Sequence, residues 1–127
     1  MADDRQVRVV GPGERSEGQR TPGMRREQAV GTERSWAGYV STEAGTVSGW
    51  HHHGDYESHI FVVSGGLRVE SGPGGQLVVD AKPGDFVFVP AHTVHREANP
   101  TPDEAALVVV RAGSGEPVFN VDGPDEA

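Results

Sequence analysis

The 127-residue sequence contains no cysteine, which excludes both a disulfide framework and a thiolate metal site. It has no apolar run of membrane-spanning length, and its opening MADDRQVRVV lacks a signal-peptide core. A soluble cytoplasmic protein is therefore the expectation, with no membrane partner. Long basic blocks are missing too, and the formal charge is −8, which argues against nucleic acid as a partner. Charge is unevenly placed. Seven of the 11 cationic residues (Arg5, Arg8, Arg15, Arg20, Arg25, Arg26 and Arg34) precede residue 35. Six acids share that segment, so it is near neutral, the rest of the chain is strongly acidic, and the pattern reads as a solvated surface. No internal repeat, second domain or helix-turn-helix is visible.

What is present points to strands. Eighteen glycines and nine prolines punctuate a sequence whose apolar residues are largely β-branched, above all valine, a composition that favours short strands and turns. Ser35–Val40, Gly45–His53, His59–Val63, Leu67–Glu70, Gln76–Val79, Phe86–Val89, Ala106–Arg111 and Pro117–Val121 read as strands, separated by STEAG, HGD, SGG, SGPGG, AKPGD and NPTPDE. In Lys82-Pro83-Gly84-Asp85, Pro and Gly stand where a type II turn needs them. Such spacing predicts an all-β sandwich or barrel. Residues 1–6 are expected to fray, Gln6–Val10 to form a short edge strand, and the polar 14–28 to be loop or arm. The organisation is thus an N-terminal arm over 1–34, one β domain over 35–121 and a disordered tail over 122–127.

All six histidines fall between residues 51 and 95. On a strand, side chains two apart share a face, so His51 and His53 can converge on one ion while His52 points away. His95 follows another strand-like run and is the third candidate.

These residues sit in a pattern that resembles the cupins. The first cupin motif is a glycine, five residues, His-x-His, three or four residues, Glu, six residues and a glycine. Gly45, then His51-His52-His53, matches. The second is a glycine, five residues, Pro-x-Gly, two residues, His, three residues and Asn. Gly84, Pro90, His95 and Asn99 match it, with His92 in place of the internal glycine. The glutamate is where the two counts diverge. Counting forward from His53 with the three-residue spacing reaches Glu57. Counting back from Gly65 reaches Ser58. A one-residue slip turns every side chain to the other face. The register anchored on Gly65 is favoured because the strand is tied to the hairpin that follows; it turns Ser58, Ile60 and Val62 inward and leaves Glu57 at the strand entrance. The alternative turns Glu57, His59, Phe61 and Val63 inward.

The resemblance implies a jelly-roll-like β-barrel of two antiparallel sheets and a homodimer. It also implies one divalent metal (Fe, Mn, Ni, Zn or Cu) held by His51, His53 and His95, with Glu57 or water as fourth ligand. Imidazole suits these metals. A partial ligand set leaves positions for substrate, which fits a dioxygenase-type enzyme acting on a small organic molecule with Glu57 as base. A non-catalytic binding or sensing module and a Lewis-acid isomerase or cyclase are the alternatives, since the fold alone does not choose.

Other residues have plainer readings. His92 is a pocket-rim or exposed loop histidine. Gly84, Asp85 and Pro90 are architecture, and Asn99 is a hydrogen-bonding loop cap. Phe86 and Phe88 read as core, and Trp36, Tyr39 and Trp50 as packing, with Trp50 best placed to flank the site. Thr21-Pro22-Gly23-Met24 followed by Arg25-Arg26 is a distinctive arm segment whose arginines are candidates to gate an anionic substrate.

Overall fold

Alternation of inward aliphatic and outward polar residues lets a strand bury one face, and the chain uses this to build two antiparallel sheets. The computed structural model describes residues 6–126. The strands are β1 (Ser16–Thr21), β2 (Met24–Gly31), β3 (Ser35–Thr42), β4 (His51–His52), β5 (Glu57–Ser64), β6 (Leu67–Ser71), β7 (Leu77–Ala81), β8 (Phe86–Val89), β9 (His95–Ala98), β10 (Ala105–Ala112) and β11 (Phe119–Asn120). The larger sheet runs β1-β2-β3-β10-β5-β8, and the smaller runs β11-β4-β9-β6-β7. No strand pairing joins the sheets among the described residues, so the expected jelly roll is present as two apposed sheets and not as a closed barrel. Among these residues no helix is long and apolar enough to cross a membrane.

Met24, Val40, Ile60, Val62, Leu67, Val69, Val89, Leu107 and Val109 form the core between the sheets. Burying each such side chain contributes about 1.5–3 kcal/mol. On β5 the buried residues are Ser58, Ile60 and Val62, while Glu57 and His59 are exposed. That is the register anchored on Gly65. Its cause is local: Gly65 has φ +74°, and a Cβ there would lie 2.6 Å from the Cα of Ala105. Only glycine lets the chain turn against β10 at this point.

Three N- and C-terminal expectations are corrected. The segment 14–28, read as loop or arm, lies largely in the β1–β2 hairpin, which pairs through β2 onto β3. Gln6–Val10 forms no strand, and Val7 and Val9 stand exposed; of residues 1–6, expected to fray, 1–5 lie outside the described residues, as does the last tail residue, Ala127. The tail over 122–126 is docked, because Gly74 N donates to Asp125 O at 2.7 Å and Pro73 bridges Asp125.

The inward face of the larger sheet changes character along its strands. At one end it presents Met24, Val40, Val62 and Leu107; at the other, Gln28, Trp36, Ser58 and Arg111. The pairings Gln28↔Gly38, Trp36↔Arg111 and Ser58↔Arg111 place this second group side by side. Gly38 makes room for it, since a Cβ there would meet the Trp36 ring at 2.3 Å.

Candidate metal centre

His51 and His53 leave β4 and its following residue on one face, as their spacing predicts, and both are buried. His52 points the other way and stacks on Phe119, with ring centroids 4.8 Å apart. β4 pairs with β9 at His51↔His95, which brings the fully buried His95 beside His51 at a centroid separation of 4.4 Å. Two residues further on the same face of β9 is Glu97. One ligand atom from each of His51, His53, His95 and Glu97 lies within 4.8 Å of all the others.

Each of the three rings is held by a backbone carbonyl. Nδ1 of His51 lies 2.9 Å from Gly49 O, that of His53 2.8 Å from Pro117 O, and that of His95 2.9 Å from Thr93 O. A backbone carbonyl can only accept, so each Nδ1 carries the hydrogen and donates it, which leaves an Nε2 lone pair on His51 and His53, while Nε2 of His95 carries a second hydrogen in its bond to Glu97. His95 Nε2 is 3.3 Å from Glu97 Oε1. Ser48 braces the arrangement from behind: its Oγ accepts from Glu97 N and donates to Gly49 O, each at 2.9 Å.

Electrostatics favour neutral imidazoles at His51 and His53 and the charged form at His95. Burial, reinforced by the charge of Arg111, lowers the His53 pKa to about 3 against the opposing pull of the Pro117 carbonyl. Burial also lowers His51, partly offset by Glu97. Burial pulls His95 down as well, but its hydrogen bond to Glu97 and the carboxylate charge outweigh it and the pKa is raised. For Glu97 burial favours the neutral acid, yet the His95 hydrogen bond and the surrounding imidazoles keep it ionised, with a lowered pKa. Two oriented lone pairs, a third on His95 once its Nε2 proton is displaced, and one half-buried carboxylate suit a divalent transition metal, and the residues fit such an ion.

Glu57, expected as ligand or base, is not brought to this cluster. It lies exposed at the start of β5, opposite Ala112. Ser58 faces the interior instead, and its Oγ has no hydrogen-bond partner. The carboxylate in the cluster is Glu97, a residue the motif count passed over. The spacing His95-x-Glu97 repeats that of His51-x-His53, and this was the signal that could have found it.

Other expectations resolve as follows. His59 lies on the outer face against Phe88, and Phe86 and Phe88 are exposed there at 77% and 52%, not in the core. His92 is an exposed loop histidine at φ 57°, bonded to Asp55 at 2.7 Å. Trp50 sits under Arg96 at 4.7 Å, whereas Trp36 lines the interior cavity. Asn99 is the loop cap: its Nδ2 donates to Thr42 O and Asp103 O, and its Oδ1 accepts from Thr101 N and Oγ1.

The cluster opens on one side. A compartment of about 60 Å³ is lined by His51, His53, Ser48, Asn120, Arg26 and Arg111. Through Gln19, Arg26, Arg111 and Val118 it shares its wall with a second of about 400 Å³, which includes Trp36 and Tyr56. A larger depression of about 790 Å³ along the outer side of the β1–β2 hairpin lies away from the histidines.

A family model described as the cupin domain matches residues 38–111. No curated protein matches the chain in sequence. Among solved structures, KdgF from Halomonas sp. is 24% identical, with a TM-score of 0.69 over 84% of this chain and 94% of that one. The polyketide cyclase RemF from Streptomyces resistomycificus is 19% identical, with a TM-score of 0.73 over 91% and 86%. An uncharacterised protein with a double-stranded β-helix domain from Klebsiella pneumoniae is 20% identical, with a TM-score of 0.73 over 92% and 99%.

Proposed function

The chain belongs to the cupin family, and from that premise we propose that it is a metal-dependent enzyme of dioxygenase type acting on a small organic molecule. One observation carries the reading: three imidazole donors and the Glu97 carboxylate converge at a point that opens onto an interior cavity. The chemistry a divalent ion supplies in such a set is polarisation of a substrate oxygen and, for iron or manganese, activation of dioxygen. The protein's own residues hold and shield that point. Gly49, Thr93 and Pro117 fix the imidazoles through their carbonyls, and Ser48 fixes Glu97.

The cavity walls favour oxygen chemistry over proton shuttling. Besides the histidines and the two arginines, Tyr56 is, among the described residues, the one titratable residue lining the two compartments. A reaction that moves protons between substrate atoms would need a free base, and Glu57 is outside. The test is oxygen consumption by the iron- or manganese-loaded protein with candidate enols and phenols, against the zinc-loaded protein as control. Turnover of a substrate without oxygen uptake would replace this reading with a Lewis-acid isomerase or cyclase, for which Tyr56 is the available proton carrier. A ligand-dependent rise in Tm with no turnover under any metal would replace it with a binding module.

The proposed assembly is a homodimer formed through the outer face of β10, β5 and β8. Phe61 packs on Phe86 at 4.9 Å and His59 on Phe88 at 5.3 Å, with Val108 and Val110 beside them. Apolar side chains in such a contiguous patch mark an association surface.

A further inference from the structure

Two arginines lie half-buried inside the sandwich where no carboxylate meets them. Arg26, on β2, donates to Thr21 Oγ1 at 2.9 Å and Gln19 O at 3.4 Å. Arg111, on β10, lies over the Trp36 ring at 4.7 Å, and its buried Nε has no hydrogen-bond partner. Among the described residues neither forms a salt bridge. Among the described residues Glu97 is the one carboxylate whose charge reaches them.

We infer that Arg26 and Arg111 form a carboxylate subsite, so that the substrate of the proposed reaction is a small organic acid whose carboxylate lies between the arginines and the histidine cluster. Four observations converge on this. Both guanidinium groups line the compartment that also contains His51 and His53. Ser58 and Arg111 are direct cross-strand partners on β5 and β10, and Ser58 Oγ and Arg111 Nε are both buried without an acceptor. Both atoms are closed to solvent and Ser58 lines neither compartment, so the carboxylate is received by the remaining nitrogens of the guanidinium groups, whose planar fork pairs with carboxylate oxygens. Charge agrees: burial lowers the pKa of both arginines, opposed by Glu97 at each and also by Tyr56 at Arg111, yet Glu97 is hydrogen-bonded to His95.

Size narrows the class. The compartment at the histidines, about 60 Å³, equals roughly two water molecules at about 30 Å³ each, enough for a carboxylate group. The remainder of the acid extends into the compartment of about 400 Å³, against Tyr56, Pro117 and Val118. This inference rests on the proposed metal-dependent reading for what the acid is presented to, but its own evidence is the arginine pair.

The test is calorimetric titration of the full-length zinc-loaded and metal-free proteins with pyruvate, benzoate and phenylpyruvate. Each acid is compared with its neutral amide and with inorganic phosphate, and metal content is measured in parallel. At least one acid should bind tenfold or more tightly than its amide. Arg26→Gln and Arg111→Gln should each weaken it at least tenfold without lowering zinc content, and Arg111→Lys, which keeps the charge, should weaken it less than Arg111→Gln. The inference is overturned if no acid binds, if acid and amide bind alike, if phosphate binds more tightly than every acid, or if both Gln variants stay within twofold of wild type. Zinc retained without acid binding would sink the subsite and leave the metal reading standing. Arginine-dependent acid binding to a protein that holds no zinc would do the reverse.

Discussion

The metal-free protein should lose stability as the pH falls from 7 to 5, and His53 should account for a definable part of that loss. Its folded pKa of about 3 lies below the ordinary value of 6.5, so between those values the unfolded chain binds a proton that the folded chain refuses. Stability from this group is complete above pH 6.5 and is lost as the pH falls towards 3. Each pKa unit corresponds to about 1.36 kcal/mol, so the step from pH 7 to pH 5 removes about 2 kcal/mol through His53 alone. With a urea m-value of roughly 2 kcal/mol/M, the midpoint should drop by about 1 M. His51, also lowered, acts in the same sense. His95, raised by Glu97, acts in the opposite sense: its stabilisation is full below pH 6.5 and is lost as the pH rises through its folded pKa. The wild-type slope therefore mixes three groups, and a variant isolates one. His53→Asn offers an amide N–H to Pro117 O in place of Nδ1 but cannot titrate. Urea unfolding of chelator-treated wild type and variant at both pH values should give slopes that differ by about 2 kcal/mol. Equal slopes would refute the assignment of a buried, neutral His53.

The remaining expectations concern metal, loop and assembly. Glu97→Gln should weaken zinc or manganese binding at least 100-fold, about 2.7 kcal/mol, whereas Glu57→Gln should leave it within threefold; a chelator competition assay giving the reverse order would restore Glu57 as the ligand. Replacing His51, His53 or His95 with Ala should sharply lower bound metal, while His52→Ala, which removes a ring stacked on Phe119, should leave metal content near wild type by elemental analysis. Asn99→Ala removes four hydrogen bonds and should cost about 3 kcal/mol, seen as a Tm roughly 10 °C lower. Phe86→Asp with Phe88→Asp should give a monomer by light scattering if the outer face is the dimer surface; an unchanged dimer would place the interface elsewhere.

Much of this architecture was legible because period-two patterning survives wherever one strand face is aliphatic. Phe86–Val89 was read to the residue, and the Ser35 and Leu67 strands differ from expectation only at their C-terminal ends. The β1–β2 hairpin was missed for a physical reason. On β2 the inward row begins with Met24 but continues as Arg26 and Gln28, so the strand buries polar side chains and shows no apolar alternation. β1 is the sheet's outer edge and has no buried residue at all. The Gly45–His53 strand shrank to His51–His52 with an isolated bridge at Val47, since carbonyls there serve histidine rings and loop contacts instead of a ladder. Three of the four metal-cluster residues were identified from spacing. The fourth, Glu97, is not where the motif places a glutamate, after His53, but two residues beyond His95 on the same strand face.

That relocation of the carboxylate has an evolutionary consequence. With Glu97 on β9, the four donors come from two adjoining strands of the smaller sheet, His51 on β4 with His53 just after it and His95 and Glu97 on β9, and the His51↔His95 pairing brings them together. The larger sheet contributes none of them and supplies Arg26, Arg111, Trp36 and Ser58 instead. Under the proposed function, ion affinity and substrate choice would be separable traits. Mutations on the larger sheet would then explore new acids while the ion site stays put, and small changes in the gap between sheets would resize the chamber without disturbing the ligands. A chain built this way can change what it acts on without first losing what it acts with.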